Sequence, residues 1–338
     1  MRHTAYDLAQ MQSLPLEAKV SMTIRRIRDW YEGWDGDVYL SFSGGKDSTV
    51  LKHIVDSLNY DIPSVFVNTG LEYPEAQKFA MSQKNVEMIR PKLGFADVIK
   101  NYGYPVISKE VSKDLYFARR NPNCMHYQHL FGIGKYEGSR FSSKRWSFLY
   151  DAPFIVSDRC CHVMKKSPVH IYERQTQRKP MIAMLAEESE IRKQSWMRTG
   201  CNSFETSRPR SMPMAFWTEQ DVLHYIKKYD IPYCSIYGDI RVKQKNELDG
   251  QVNLIDQIPY EEGDVLETTG CERTGCMFCM FGCHHDKEPN RFQRMKKTHP
   301  KQWNYCINGG EWVDGLWMPS KDGLGMWYVL DFIGVKYE

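Results

Sequence analysis

Two glycines followed at once by a lysine, an aspartate and a serine form a loop suited to phosphates in Ser41-Phe42-Ser43-Gly44-Gly45-Lys46-Asp47-Ser48-Thr49. Glycines let backbone N–H groups curl around phosphate oxygens, and a helix beginning there adds its partial positive charge. Ser41, Ser43 and Ser48 offer hydroxyl donors and Lys46 a neutralising cation. Asp47 beside phosphates would be repulsive unless it holds a Mg²⁺ shared with them. The spacing is neither that of the G-x-x-x-x-G-K-[ST] loop nor that of the G-x-G-x-x-G turn of dinucleotide folds.

The second chemical signal is cysteine. Of ten cysteines, Cys271, Cys276, Cys279 and Cys283 fall within thirteen residues, and Cys160 and Cys161 are adjacent. Four thiolates at that density point to a metal site, zinc or an iron–sulfur cluster, between which spacing does not choose. Cys124, Cys201, Cys234 and Cys306 stand alone and read as small buried hydrophobes. His284 and His285 are adjacent and read as solvated, or as further ligands if the metal is zinc.

The elements that must position these groups follow from the apolar pattern. Leu16 to Trp34 has helical spacing, so an N-terminal amphipathic helix precedes the first strand. Val38 to Phe42 reads as a buried strand stopping at the glycine turn, and Asp47 to Leu58 as the helix after it. Ser64 to Val67 is a second strand, a helix starts near Pro74, and Val86 to Ile89 is a third strand. Met181 to Leu185 reads as another strand, and Trp217 to Tyr229 as a helix capped by Thr218. Alternation of strand and helix predicts an α/β fold, a doubly wound and mostly parallel sheet. The expected segments are an N-terminal helical segment at 1–36, a nucleotide-binding domain at 37–240, and an irregular Cys-rich subdomain at 241–338.

The glycine run resembles the PP-loop, S-G-G-K-D-S, of the Rossmann-like adenine nucleotide α-hydrolase superfamily. Phe66-Val67-Asn68-Thr69-Gly70-Leu71-Glu72-Tyr73-Pro74-Glu75 is similar to the D-T-G-x-x-F/Y-P-E-T segment of phosphoadenosine phosphosulfate (PAPS) reductase-like proteins, with Asn68 in place of Asp. Glu188-Ser189-Glu190-Ile191-Arg192 and Trp217-Thr218-Glu219-Gln220-Asp221-Val222 match two further segments of that family, in the expected order. The resemblance covers about residues 36 to 300. It implies that Ser41, Ser43, Gly44, Gly45, Lys46, Asp47, Ser48, Asn68, Thr69 and Gly70 bind an adenine nucleotide, and that Arg192 faces its acidic group. Lys46, Asp47 and Arg192 are the implied catalytic set. Arg159-Cys160-Cys161-His162-Val163-Met164-Lys165-Lys166-Ser167-Pro168 resembles the C-C-x-x-R-K-x-x-P stretch of adenylylsulfate (APS) reductases, with Met164 replacing the Arg. That likeness implies a [4Fe–4S] cluster on Cys160, Cys161, Cys276 and Cys279, with Lys165 tempering its charge. Local four-cysteine clusters of the superfamily suggest the rival set Cys271, Cys276, Cys279 and Cys283.

The reaction expected is an ATP·Mg²⁺-dependent adenylation that releases pyrophosphate, followed by cluster-assisted sulfur transfer that expels AMP. The loop is closer to those of ATP-cleaving relatives than to those of reductases, and the C-terminal E-C-G-L-H cysteine of reductases has no counterpart after Cys306. The alternatives are a PAPS or APS reductase using Cys201 or Cys283, and a nucleotide-sensing partner with a structural metal. A sulfur or electron donor is implied in either catalytic case. Net charge is only +3, which argues against a polyanion partner by bulk charge. Locally, Arg291 to Lys297 and Arg119-Arg120 interleave basic and aromatic residues that would suit a nucleic-acid acceptor, or form solvated helix faces. No apolar run has membrane-spanning length and the N-terminus lacks a signal-peptide core, so a cytoplasmic protein is expected.

Overall fold

The computed structural model describes residues 3–243, 261 and 263–338. In chain order its strands include β1 (Val38–Phe42), β2 (Ser64–Val67), β3 (Val86–Ile89), β4 (Val106–Ile107), β5 (Lys179–Ile182), β6 (Asn202–Ser203), β7 (Arg210–Ser211), β8 (Ile240–Val242), β9 (Leu266–Thr268) and β10 (Met280–Phe281). Two compact units divide the chain. The first holds the described parts of Met1–Asn68, Glu72–Ile89 and His170–Thr274; the second holds Thr69–Leu71, Arg90–Val169 and Gly275–Glu338.

In the first unit six strands form one sheet in the order β3-β2-β1-β5-β7-β6, parallel throughout except for β6 against β7. This is the predicted α/β architecture. The chain runs outward from β1 through β2 to β3, then returns on the other side of β1 as β5. Strand order therefore reverses at β1, where Leu40 pairs with Ser64 on one side and Met181 on the other. Helices cover both faces, which is why β1 is buried nearly end to end. Val38 and Leu40 join a core with Ile27 and Trp30 of the helix Leu16–Glu32 and Val50 and Ile54 of the helix Lys46–Asp56. Tyr39, pointing the opposite way, meets Tyr172 of the helix Ser167–Thr176 edge to face at 5.2 Å.

The strands and helices expected from the sequence are present with small shifts. The strand expected at 181–185 occupies Lys179–Ile182, because Met184 N–H turns back to the Ile182 carbonyl. The helix Glu219–Lys228 is capped by Thr218, whose hydroxyl accepts from Asp221 N–H while the Asp221 carboxylate accepts from Thr218 N–H at 2.7 Å. Buried Lys19 donates to both oxygens of that carboxylate, at 2.6 and 2.8 Å, tying the N-terminal helix to this cap.

The units run across the segment bounds expected at 36/37 and 240/241. Antiparallel pairing of β8 with β9 keeps residues up to Thr274 in the first unit, and the N-terminal helices belong there too. Parallel pairing of β4 with β10 instead joins residues 106–107 to 280–281 in the second unit. The helices of that unit include Phe95–Tyr102, Lys109–Ala118, Met125–Phe131, Arg291–Thr298, Pro300–Ile307 and Met326–Phe332. Among the described residues no helix is long and apolar enough to cross a membrane.

Replacing Lys19 with alanine would leave the largely buried Asp221 carboxylate without its cation. We expect unfolding stability to fall by about 3–5 kcal/mol in urea denaturation. A loss below about 1 kcal/mol would show the pair to behave like a surface ion pair.

Candidate functional site

The reversal of strand order opens a crevice at the carboxyl ends of β1 and β5, the position where open α/β sheets take ligands. A cleft of about 230 Å³ lies there, lined by Ser41 and Ser43 from β1 and its turn and by Ile182, Ala183 and Leu185 from β5 and its continuation. Between strand and helix the chain needs glycine. Gly44 has φ +71°, and a Cβ there would lie 2.7 Å from the Ala76 carbonyl oxygen. Ser43 Oγ lies 3.0 Å from Ser48 Oγ and accepts from Gly45 N–H at 3.3 Å, which closes the turn.

Lys46, Asp47 and Ser48 open the helix that follows, and all three line the cleft. Lys46 is buried; its ammonium pairs with Glu219 at 2.7 Å and donates to the Glu272 carbonyl at 2.6 Å. Its backbone N–H donates to the Tyr237 hydroxyl at 3.2 Å, which in turn meets Thr274 Oγ1 at 2.9 Å. Asp47 Oδ1 is buried with no hydrogen-bond partner. Burial pushes this carboxyl up from the usual range, with Lys46 pulling the other way. Arg192, in the first turn of the helix Glu190–Thr199 capped by Ser189, reaches the same cleft, paired with Glu188. Arg273 lies 3.7 Å from the second Glu188 oxygen. Burial raises the Glu187 carboxyl as well, although Glu219 N–H donates to it.

Of the nucleotide-site residues expected from sequence, Ser41, Ser43, Gly45, Lys46, Asp47, Ser48 and Arg192 therefore share one cleft, with Gly44 shaping its turn. Asn68 ends β2, where its side-chain N–H donates to Met88 Sδ at 3.3 Å, and it is not in the cleft lining. Thr69 and Gly70 belong to the second unit. The sequence reading missed Tyr237, Arg273 and Thr274, which no motif marked. It passed over Glu188 and Glu219 although both stand inside segments already singled out.

The second unit gathers thiols. Cys160 and Cys161 sit in the short helical turn Arg159–Cys161, which runs into a π-helical turn at His162–Lys166. Cys160 Sγ donates to Cys161 Sγ at 4.0 Å. That hydrogen bond, burial, and the nearby thiols of Cys161, Cys279 and Cys276 push Cys160 up. Accepting it holds Cys161 down to about 6, with Lys109, Lys165 and Lys166 opposing the effect of burial. Lys109 had no sequence signal. Met164, standing where the resembled motif has Arg, is fully buried. The Cys276–Cys279 turn closes by Cys279 N–H to the Cys276 carbonyl at 3.1 Å. Arg291 braces it, donating to the Cys279 and Phe281 carbonyls at 3.1 and 3.0 Å and doubly to Asp286.

Cys283 is buried in the same unit, its thiol pushed up to about 12 by burial. Cys271 belongs to the first unit, where its thiol donates to the Arg273 carbonyl at 2.7 Å. Of the four isolated cysteines expected to be buried, Cys201, Cys234 and Cys306 are, whereas Cys124 is only partly buried, at the cap of the helix Met125–Phe131. Among the described residues no three His, Cys, Asp or Glu side chains are drawn together as ligands of a single ion.

Comparison with known proteins adds a family signal. A sequence profile of the phosphoadenosine phosphosulfate reductase domain matches residues 37–108 and 135–289. A tRNA-5-methyluridine(54) 2-sulfurtransferase of Thermotoga maritima is 27% identical over 109 residues, 32% of this chain and 34% of that protein. An uncharacterized protein of Methanocaldococcus jannaschii is 22% identical over 306 residues, 86% of this chain and 47% of that protein. The chain thus spans about a third and about half the length of these two curated relatives. Among solved structures, a phosphoadenylyl-sulfate reductase from Candida auris in complex with phosphate is similar at a TM-score of 0.35 and 13% identity, over 70% of this chain and 91% of that one.

If this cleft takes the phosphates, Lys46→Ala combined with Asp47→Ala should weaken binding of ATP and PAPS by at least about a hundredfold while leaving the circular dichroism spectrum unchanged. Wild-type affinity for both nucleotides, measured by calorimetry on the folded double variant, would place the nucleotide elsewhere.

Proposed function

Because this chain belongs to the phosphoadenosine phosphosulfate reductase domain family, we propose that its adenine-nucleotide-dependent, sulfur-related chemistry is an ATP-dependent sulfur transfer. An acceptor oxygen attacks the α-phosphorus of ATP·Mg²⁺, the bond to the β-phosphate oxygen breaks, and pyrophosphate leaves. The acceptor then carries AMP on that oxygen. A sulfur nucleophile attacks the acceptor carbon, the C–S bond forms, the C–O bond breaks, and AMP departs with the oxygen.

The observation that carries this reading is Asp47: a buried carboxylate oxygen with no partner, beside Lys46 at a helix start. Four carboxylates, Asp47, Glu187, Glu188 and Glu219, line the cleft against the cations Lys46, Arg192 and Arg273. Such a lining would repel bare phosphates and suits a triphosphate that brings Mg²⁺ with it. In this reading Asp47 Oδ1 takes the metal, Lys46 exchanges Glu219 for a phosphate oxygen, and Ser43, Ser48 and the backbone of Gly44 and Gly45 hold the phosphate chain. Arg192 and Arg273 stabilise the charge that builds on the α-phosphate and the leaving pyrophosphate. Ile182, Ala183 and Leu185 offer the apolar wall against which a base can lie.

The thiols of Cys160, Cys161, Cys276 and Cys279 form the donor set we assign to a [4Fe–4S] cluster. Their shared unit, their mutual electrostatic influence and the cations Lys109, Lys165 and Lys166 suit that dense negative group, whereas Cys271 of the rival set lies in the other unit. When bound, such a cluster would supply iron able to hold a sulfide.

Two measurements test the proposal. Asp47→Asn should reduce acceptor-dependent pyrophosphate release by at least about a hundredfold, and wild-type protein should make little sulfite from PAPS or APS with a thiol donor. Rapid sulfite release indifferent to Asp47→Asn would replace this reading with a sulfonucleotide reductase. Separately, anaerobically purified protein should be brown with about four irons per chain. Cys276→Ser, Cys279→Ser, Cys160→Ser and Cys161→Ser should each bleach it, and Cys271→Ser should not. Stoichiometric zinc without iron in protein never exposed to air would sink the cluster.

A further inference from the structure

We infer that the aromatic and basic face built by residues 113–148 of the second unit docks single-stranded nucleic acid. This goes beyond the proposed reaction and does not depend on it. Half of the face lies in residues 109–134, the stretch between the two blocks that match the family profile.

The face has a rigid foundation. Buried Asp114 of the helix Lys109–Ala118 lies 2.8 Å from His126 Nδ1 and 2.5 Å from His129 Nδ1, and accepts from Ser143 Oγ at 3.2 Å. His129 Nε2 lies 2.8 Å from the Phe141 carbonyl oxygen. Burial opposes a charge on His129, but Asp114, the Phe141 carbonyl and Glu110 together raise its pKa. Arg119 turns inward, donating to the carbonyls of Leu149, Tyr150, Ala152 and Phe154 at 2.6 to 2.9 Å. It therefore holds the base of the face and is not available to track a nucleic-acid backbone, a correction to the role suggested by the Arg119-Arg120 pair in sequence.

On this foundation the rings point outward. Phe141 is 73% exposed although its carbonyl is tied to His129. Phe117 and Phe148 are exposed as well. Each stands with a cation: Arg140 lies 5.1 Å over the Phe141 ring, and Arg120 3.5 Å over Tyr116, whose ring meets Phe117 edge on. Arg145 lies 5.0 Å over Trp146, next to Phe148. Contacts running from Phe117 through stacked His126 and the buried Asp114 and His129 to Phe141 tie these rings to one foundation.

Its charge is lopsided. Residues 113–148 expose six lysines and arginines against one carboxylate, Glu137, with exposed Glu110 at the edge, 3.9 Å from His129, in a chain whose total is only +3. Cations alone would suit any acidic surface. Exposed rings beside them add faces on which bases stack whatever their identity, and bases are free to stack only when unpaired. By contrast, the other basic stretch considered in the sequence, Arg291 to Lys297, buries Phe292 and Met295 and spends Arg291 on Asp286, so it offers no such face.

Fluorescence anisotropy of the full chain with labelled twelve-nucleotide uridine and thymidine strands tests this, with no ATP present. We expect both strands, or one of them if the 2′-hydroxyl matters, to bind better than a duplex of equal length, and affinity to fall steeply between 50 and 200 mM salt. Phe141→Ala should weaken binding about tenfold, and Arg140→Glu with Lys144→Glu and Arg145→Glu about a hundredfold or more. The exposed Phe141 ring can be truncated without unfolding, which an unchanged melting curve will verify. Lys301→Glu, on an exposed lysine outside the face, should change nothing. Binding by both face variants at wild-type strength would overturn the inference, as would duplex bound equally well. So would displacement of the strand by polyglutamate at equal charge concentration, because that would make the face an acidic-protein site.

Discussion

The pairing of β1 with β2 on one side and β5 on the other is the constraint on which the nucleotide cleft depends. Ser41 faces Val65 across one ladder and Ile182 across the other. Since the chain passes from β1 to β2 on one side and from β5 to β7 on the other, the connections that follow β1 and β5 diverge, and the glycine turn and the continuation of β5 face each other over open space. Gly44 completes the arrangement. Its left-handed backbone lets the strand turn straight into a helix while passing close to Ala76, a path a side chain would block. Packing elsewhere in the first unit, including the Lys19–Asp221 pair that fastens the N-terminal helix to the cap of Glu219–Lys228, holds that geometry in place.

Charge inside the cleft is paired internally. Lys46 rests on Glu219 and a carbonyl, Arg192 on Glu188, and Arg273 beside Glu188. Buried charges left alone are costly, and these pairs offset that cost. Asp47 Oδ1 stands apart, buried and unsatisfied. A phosphate ligand must take over cations that now serve carboxylates, and a metal accompanying it relieves the carboxylates at the same time. The proposed preference for a metal-bound triphosphate follows from that exchange.

The second unit uses partly buried cations differently. Arg119 spends its guanidinium on main-chain carbonyls under the aromatic face, and Arg291 divides its own between the Asp286 carboxylate and the carbonyls of Cys279 and Phe281. Five fixed donors make arginine able to hold an irregular loop that has no ladder of its own. In sequence both looked like surface charges beside aromatics. Their neighbours Arg120 and Lys296 do lie outside, over Tyr116 and Trp303.

Local chemistry was legible in the sequence alone. Strand, double glycine and helix start were readable around Ser43 to Ser48, because a glycine turn and a helix cap are set by a few consecutive residues. The parallel α/β class followed from alternating elements, and the matching segments at 188–192 and 217–222 marked Arg192 and the Thr218 cap. Tertiary structure decided what shares a space. Tyr237, Arg273 and Thr274 reach the cleft from elements brought there only by the pairing of β8 with β9 and the packing around it. Asn68 ends its strand without joining the cleft lining, and the pairings of β8 with β9 and of β4 with β10 place residues up to Thr274 in the first unit and those from Gly275 in the second. Those outcomes depend on contacts between residues far apart in the chain, which neither periodicity nor local spacing encodes, because each arises from the complementary shape and charge of two surfaces that exist only once both have folded.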